Sequence, residues 1–187
     1  LPNYRGAAPI NWVLINGEKE TGITTFFIDR QIDAGAIIHQ EKIELTENTT
    51  AAELHNTLMN KGSELLINSL HSIKNNSVTQ TPQQHSATML EAPKLTKELL
   101  KIDWGKSANE IHNLIRGLSP FLDNNTELKD VAICPSAWFV LQDNNGASKR
   151  IKVHLSEVVS TQSDSLLSIK TDNKTYLHII TSKNAIS

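Results

Sequence analysis

The sequence predicts an α/β unit followed by a β-rich unit that folds as a small antiparallel barrel or sandwich. Helix-like and strand-like patterns alternate up to residue 76. A polar, proline-containing stretch from Lys74 to Ser86 is typical of a linker. Short β-branched runs separated by polar turns then fill the region after residue 136. We therefore predict a two-part chain whose first part is the closing half of an α/β sheet domain.

The first part begins with a short helix and two strands. Pro9 suits the first turn of a helix, and Gly17 is a natural residue just past its end. Gly22–Asp29 and Ala36–Ile43 are rich in β-branched and aromatic side chains, which favours strands. We expect the first of these strands to be covered on both faces.

A long helix closes the first part. Thr50 and Glu53 form a capping box, the pattern in which a threonine and a glutamate three residues later satisfy each other's backbone N–H groups. The apolar stripe that follows runs at helical spacing from Leu54 to Ile73. Gly62 lies inside this stripe and is a point where the helix is expected to bend.

The second part also begins with a helix. Ser107 and Glu110 form a second capping box, and Gly117 and Pro120 mark the helix end. Turn signals at Asp143–Gly146 and Asp172–Asn173 separate the later strands, and the polar stretch Asp123–Asp130 is predicted to be a loop. The predicted strands are Ala137–Leu141, Ile151–Val159, Leu166–Thr171 and Tyr176–Thr181.

Composition excludes several classes of protein. The formal net charge is −2, which rules out a strongly basic histone-like binder. The single cysteine, Cys134, excludes an internal disulfide framework and fits a reducing compartment. No stretch approaches 18 apolar residues, so no membrane partner is expected. The first residue is Leu1 rather than methionine, and we expect the sequence to be a segment of a longer protein.

An acid on a tight turn is the first candidate for chemistry. Asp33 follows a predicted strand and is followed by Gly35, which permits close backbone approach. A carboxylate in this place can orient a histidine or take part in proton transfer. The alternative is that Asp33 only makes a turn to its own backbone, as aspartates commonly do.

The second candidate lies just before the first helix. Arg5 and Gly6 precede small residues and a helix start, an arrangement that lets a substrate approach backbone N–H groups. The alternative is a surface loop that packs through Ala7 and Ala8.

Taken in order, these motifs resemble one known family. The chain is similar to the methionyl-tRNA formyltransferases, which belong to the folate-dependent formyltransferases. The similarity covers roughly residues 1–120, and the β-rich tail more loosely. It is carried by Leu1–Ile10, Gly17–Thr24, Ile32–Gly35, Lys94–Glu98, Ile102–Trp104 and Ile115–Pro120.

The resemblance implies a fold and an activity. It implies that residues 1–76 are the C-terminal part of a Rossmann-like catalytic domain, that 77–95 are a linker, and that 96–187 form an OB-like β-barrel domain. The family transfers a formyl group from 10-formyltetrahydrofolate to the α-amine of methionyl initiator tRNA. The resemblance therefore implies 10-formyltetrahydrofolate as co-substrate, initiator Met-tRNA as partner, and a cytoplasmic enzyme, which we expect to be monomeric.

The resemblance also implies a catalytic set of an Asn, a His and an Asp. Asp33 matches the catalytic Asp, while Leu1 and Pro2 match the last two positions of a Ser-Leu-Leu-Pro stretch that lines the folate site. The Asn and His of the family lie just upstream of that stretch, before Leu1. We therefore expect the 187-residue segment alone to have no measurable formyl transfer.

Other polar residues carry weaker signals. Lys149, Arg150 and Lys152 are candidates for contacts with tRNA phosphates, and the alternative is a solvated strand edge protected by charge. Neutralising Lys149 and Lys152 together is expected to reduce the salt dependence of tRNA binding. No metal site is expected, since the histidines lack partners at ligand spacing. They are His39, His55, His71, His85, His112, His154 and His178.

Three alternatives stay open. The hydrolase domain of 10-formyltetrahydrofolate dehydrogenase is similar at Ile10–Trp12 and Ile111–Asn113, and formyl-sugar enzymes are a third relative. A non-catalytic RNA-binding module, with an OB-like domain tethered to a degenerate catalytic remnant, is the alternative of a different class. An Asn-x-His motif encoded just upstream of Leu1 favours the enzyme, and its absence favours the module.

Overall fold

The computed structural model describes residues 1–84, 89–123, 126–128, 132–142, 145–161 and 167–187. The predicted positions His85–Ser86, Asn124, Asn125, Lys129, Asp130, Asp143–Asn144 and Leu166 lie outside these residues. The elements are β1 Arg5–Gly6, α1 Pro9–Ile15, β2 Glu20–Phe26, β3 Ile37–Glu44, α2 Ala51–Lys74, β4 Glu91–Ala92, α3 Ala108–Arg116, β5 Ala137–Gln142, β6 Ser148–Val153, β7 Val158–Val159, β8 Ile169–Thr171, β9 Leu177–Ile180 and β10 Ala185–Ile186.

The two predicted capping boxes are confirmed. In α2, the backbone N–H of Glu53 donates to Thr50 Oγ1 over 3.1 Å, and the N–H of Thr50 donates to Glu53 Oε2 over 2.7 Å. In α3, Ser107 and Glu110 make the same reciprocal pair. Both boxes satisfy N–H groups that have no partner inside the helix, which is why both helices begin where the sequence predicts.

The strands of the first part pair as an antiparallel hairpin. β2 and β3 run side by side from Glu20 opposite Glu44 to Phe26 opposite Ile37, and α2 packs against them. The expectation that β2 is covered on both faces is wrong, because every residue of β2 keeps exposed surface. α2 runs unbroken past Gly62, where a Cβ atom would lie 2.6 Å from Ile23 Cδ1. This glycine therefore allows the helix to approach the hairpin closely.

The segment between the two parts packs back along the first part. Thr81 forms an antiparallel bridge with Ile37, and β4 pairs in parallel with β1, so that Glu91 lies opposite Arg5. Gly6 has φ +136°, and a side chain there would collide with the carbonyl of Ala92. The described residues of this segment thus hold β1 in place, and the boundaries at 77 and 95 remain predictions.

The second part contains α3 and two antiparallel sheets. β5 pairs with β6, and a four-stranded sheet has the order β7-β10-β9-β8. The predicted single strand Ile151–Val159 is wrong, because β6 ends at Val153 and β7 begins at Val158 in the other sheet. Within the described ranges these sheets do not close into one barrel. The turn at Asp172 is confirmed, since its Oδ1 accepts the backbone N–H groups of Lys174 and Thr175.

Each part has its own apolar core. Val13, Leu14, Ile43, Ala51 and Leu54 form the core of the first part. The core of the second part is built around α3 and comprises Ile102, Ala108, Ile111, Ile115, Leu118, Ala137 and Ile186. Across the part of the chain that is described, no helix is long and apolar enough to cross a membrane.

A buried arginine joins the two parts. Arg116, at the end of α3, is 4% exposed. Its Nη1 donates to the carbonyl oxygens of Thr46 and Thr49, each over 3.1 Å, and its Nη2 donates to that of Leu14 over 3.4 Å. These acceptors all belong to the first part, so one guanidinium of the second part satisfies three of its carbonyls.

An asparagine makes the reciprocal connection. Asn11 of α1 is 1% exposed, and its Nδ2 donates to the carbonyl oxygens of Gly117 and Ile133, both over 2.7 Å. Thr50 Oγ1 also donates to the Phe121 carbonyl over 2.6 Å. Side chains of the first part therefore hold the backbone that follows α3, and the two parts are docked by buried polar contacts.

Candidate functional site

A cavity of about 640 Å³ lies between the N-terminal segment and the β2–β3 hairpin. It brings together the five site residues predicted in the first part, namely Leu1, Pro2, Arg5, Gly6 and Asp33. The other lining residues are Asn3, Tyr4, Pro9, Ile10, Val13, Glu18, Glu20, Thr21, Gly22, Ile23, Thr24, Gln40, Glu41, Lys42 and Leu58. Asp33 thus meets residues that precede it by 27 to 32 positions in the sequence around one hollow.

Asp33 lies at the rim of this cavity on the loop between β2 and β3. Its φ is +55°, a left-handed conformation that aspartate tolerates better than most residues. The aspartate turn in this loop is made by Asp29, whose Oδ1 accepts the backbone N–H of Gln31 over 2.7 Å. Among the described residues the carboxylate of Asp33 has no hydrogen-bond or ion-pair partner, so it is available to a group that enters the cavity.

Gln83 connects Arg5 to the loop that carries Asp33. Arg5 Nη2 donates to Gln83 Oε1 over 2.5 Å, and Gln83 Nε2 donates to the carbonyl of Gly35 over 2.8 Å. Gln83 is 9% exposed, and its hydrogen bond to the Gly35 carbonyl is buried while that with Arg5 is partly buried. A Cβ atom on Gly35 would collide with the carbonyl of Phe27, which explains the glycine after Asp33.

Arg5 retains unused hydrogen-bonding capacity. Its Nε is buried and has no hydrogen-bond partner within the described ranges. A buried donor without a partner is costly, so this nitrogen adds nothing to the stability of the segment around Arg5.

The start of the chain is held against the hairpin. The Leu1 nitrogen donates to Thr24 Oγ1 over 3.1 Å, and Gln40 Nε2 donates to the Leu1 carbonyl over 2.7 Å. Nearby, the Tyr4 hydroxyl donates to Glu18 over 2.6 Å. Burial and this hydrogen bond raise the pKa of Tyr4 to about 12, so the hydroxyl stays protonated near neutral pH.

The predicted basic residues of the second part lie on β6 and do not line this cavity. Trp138 is opposite Lys152, and Val140 is opposite Arg150, so these four side chains share one face of the β5–β6 hairpin. Lys149 is opposite Leu141 on the other face. The sequence prediction treated the three cations as one patch, and strand alternation separates Lys149 from the other two.

Cys134 occupies the position expected of a structural residue. Cys134 packs against the core of the first part, and burial raises the pKa of its thiol to about 11. Among the described residues there is no group of three or more His, Cys, Asp or Glu side chains that could hold a metal ion. His112 lies between the two parts, where its ring nitrogens contact the Glu47 carbonyl and Ser156 Oγ.

We predict that His112 makes stability depend on pH. Its Nε2 lies 3.0 Å from the Glu47 carbonyl and its Nδ1 lies 3.0 Å from Ser156 Oγ, with Arg116 and Glu47 as the charged neighbours. Burial lowers the pKa of His112 from 6.5, so the unfolded chain binds this proton more readily than the folded chain. The free energy of unfolding should therefore fall as the pH drops below 6.5.

Urea unfolding between pH 5 and pH 8 tests this dependence, with His112→Gln as the variant and His71→Gln, at an exposed position of α2, as the control. The loss between pH 7 and pH 5 should be smaller in His112→Gln and unchanged in His71→Gln. Equal losses in the two variants would contradict the assignment.

The sequence analysis did not identify two residues that hold the structure together around the cavity and between the two parts, Gln83 and Arg116. Gln83 was assigned to a linker because its neighbours are polar, and nothing local signals its contacts with residues 35 and 5. Arg116 was noted only within the Ile115–Pro120 motif, and an arginine on an amphipathic helix is usually exposed. The one available signal was its place beside the apolar face of α3.

Comparisons with known proteins match both parts of the chain. Residues 1–70 match the formyl transferase family, and residues 94–187 match the formyl transferase C-terminal domain. A methionyl-tRNA formyltransferase from Flavobacterium johnsoniae is 46% identical over 178 residues, covering 93% of this chain and 52% of that protein. The one from Phocaeicola vulgatus is 38% identical over 184 residues, covering 96% and 53%. The chain thus spans about half the length of these relatives.

Solved structures show the same fold at lower identity. An N-formyltransferase from Helicobacter canadensis, in complex with folinic acid and dTDP-3-aminofucose, matches 100% of this chain and 61% of its own with a TM-score of 0.69 at 23% identity. HypX from Aquifex aeolicus in complex with tetrahydrofolic acid matches 99% of this chain and 29% of its own, with a TM-score of 0.67 at 17% identity. At these identities the likeness concerns the fold alone.

Proposed function

Because this chain belongs to the formyl transferase family, we propose that the protein containing it transfers a formyl group from 10-formyltetrahydrofolate to the α-amine of methionyl initiator tRNA. The observation that supports this most directly is the identity of 38–46% to methionyl-tRNA formyltransferases over nearly the whole chain. The sugar formyltransferases share the fold at 23% identity, which carries no argument about the acceptor.

The cavity suits a folate co-substrate in size and in chemistry. Its volume lies in the range of about 300–1,000 Å³ that small-molecule sites occupy. Leu1, Pro2 and Ile10 supply apolar surface for a flat ring system, and Arg5, which also lines the cavity, supplies a positive charge for a polar group of the ligand. We assign Leu1 and Pro2 to folate binding and Arg5 and Gly6 to the approach of the substrate.

Asp33 is the residue of this chain that we assign to catalysis. Attack of an amine on a formamide carbon places negative charge on the formyl oxygen, and a protonated histidine and an asparagine amide can stabilise that charge. Asp33 would hold the histidine in the required protonation state and accept a proton through water. The histidine and asparagine belong to the family pattern upstream of Leu1, so the chemistry needs both stretches of polypeptide.

The second part is proposed to bind the tRNA. We propose an OB-like domain for residues 96–187, supported by two antiparallel sheets next to a short helix. Arg150 and Lys152, on one face of the β5–β6 hairpin, are the proposed tRNA contacts, and Lys149 faces away from them. The division at 76 and 95, the monomeric state and the cytoplasmic location remain predictions.

A formylation assay tests the proposed function. The complete protein should formylate Met-tRNA when 10-formyltetrahydrofolate is supplied, and the 187-residue chain alone should give no measurable rate. A complete protein that hydrolyses the formyl donor without labelling tRNA would favour the dehydrogenase-type hydrolase. One that binds tRNA but neither transfers nor hydrolyses would favour the RNA-binding module.

A further inference from the structure

Three cations surround one tryptophan on the outer face of the β5–β6 hairpin. Arg150 Cζ lies 4.1 Å from the centroid of the Trp138 ring, and Lys101 Nζ lies 6.0 Å from it. Lys152 is directly opposite Trp138 in the ladder. Arginine and lysine at these distances from an indole are attracted by its π-electrons. The cations are thus gathered from two sides, since Lys101 comes from the segment that runs beside β5 and forms a parallel bridge with Trp138.

None of these cations is neutralised by an acid of the described chain. The ion pairs that the described residues make are those of Lys42 with Glu20 and of Lys61 with Glu41. The acids nearest in sequence to Lys101 are engaged in their own turns. Asp103 Oδ1 accepts the backbone N–H of Gly105, and hydrogen bonds from its own N–H and from Thr96 lower the pKa of Glu98. The surface therefore attracts anions.

The geometry also favours a planar partner. Trp138 is fixed, because its Nε1 donates to the Lys97 carbonyl over 3.3 Å and its backbone bonds to Leu100 and Ile102. The Arg150 side chain is exposed, so the guanidinium that lies over the indole remains accessible to a second flat group. Val140, 46% exposed on the same face, adds apolar surface beside it. Bases stack on aromatic side chains and on guanidinium planes in this way.

We propose that the Trp138–Arg150 stack is a binding site for an unpaired nucleotide of RNA, with Lys101 and Lys152 contacting the flanking phosphates. This proposal rests on the proposed function in one respect, namely that the RNA is then a tRNA. The Trp138–Arg150 stack can bind a base only through the flat face of that base. The faces of paired bases are covered by their neighbours in the helix, so an unpaired base is favoured over a duplex. The site lies on a different element from the cavity around Asp33.

Binding of RNA to the complete protein, measured without a formyl donor, tests this proposal. Fluorescence anisotropy is recorded with a single-stranded oligonucleotide and with a blunt duplex of the same sequence, each over a series of salt concentrations. The wild-type protein should bind the single strand more tightly than the duplex at every salt concentration.

Three variants separate stacking from charge. Arg150→Lys keeps the charge and removes the plane, so the affinity for the single strand should fall about ten-fold while the salt slope stays unchanged. Lys152→Ala should reduce the slope of log K against log salt by about 0.7. Lys149→Ala removes the same charge from the opposite face of the hairpin and should leave both affinity and slope close to wild type.

Three results would overturn the proposal. They are an Arg150→Lys variant that binds the single strand like wild type, a Lys149→Ala variant that loses as much slope as Lys152→Ala, and losses that are equal for the single strand and the duplex. The last result would mean a surface that contacts only backbone phosphates. Formyl transfer is measured separately, so a protein that binds RNA as predicted but transfers no formyl group contradicts the proposed function alone.

Discussion

Replacing Asp33 by Asn in the complete protein is expected to lower kcat for formyl transfer by about 10²–10⁴-fold, the range that general acid–base groups contribute. The amide keeps the size of the side chain but can neither hold an imidazolium by charge nor accept a proton. The structure favours this role because Asp33 lines the same cavity as the N-terminal segment, which the proposed histidine would precede in the chain. KM for both substrates should change by much less than kcat.

Asp29 provides a matched control. It lies on the same loop and is exposed, and its carboxylate is already used to accept the backbone N–H of Gln31. Asp29→Asn should therefore keep kcat close to wild type, because an amide oxygen can accept the same hydrogen bond. Equal losses in the two variants, or an Asp33→Asn variant with more than a tenth of wild-type kcat, would remove Asp33 from the catalytic set.

Replacing Arg116 by Met is expected to destabilise the protein by about 3 kcal/mol or more, because it leaves buried carbonyls without donors. Methionine fills a similar volume, so the loss reports on hydrogen bonds rather than on a cavity. Burial lowers the pKa of Arg116, and Glu47 partly opposes this shift. The positive charge of Arg116 is therefore buried, and the carbonyl oxygens of Thr46 and Thr49 stabilise it by accepting hydrogen bonds. The side chain thereby holds α3 against the loop before α2.

Urea unfolding of the complete protein measures this effect, with Arg30→Met as the control. Arg30 is exposed, so its replacement should change the free energy of unfolding by less than about 0.5 kcal/mol. Arg116→Lys should lie in between, since an ammonium cannot reach three carbonyls in the planar geometry of a guanidinium. A change below about 1 kcal/mol in Arg116→Met would contradict a structural role for this arginine.

The helix starts could be predicted because their causes are local. Thr50 with Glu53, and Ser107 with Glu110, satisfy each other within three residues, so the pattern and the contact coincide. The two strands of the first part were also predicted, to within a few residues, from their β-branched composition. The prediction of one strand over Ile151–Val159 failed for a non-local reason. Residues 154–157 connect two different sheets, and the β-branched residues on either side of them give no local sign of this break.

The sequence by itself determined the helix caps, the helix–strand–strand–helix order of α1, β2, β3 and α2, the acid on its tight turn and the family to which the chain belongs. Only the tertiary structure decided that Gln83 connects Arg5 to the Asp33 loop, that Arg116 is buried between the two parts, and that Lys149 faces away from Arg150. The physical reason is the range of the interactions. Caps and turns are made within four residues, whereas these contacts join positions 48 to 102 residues apart or depend on how strands alternate once they are paired.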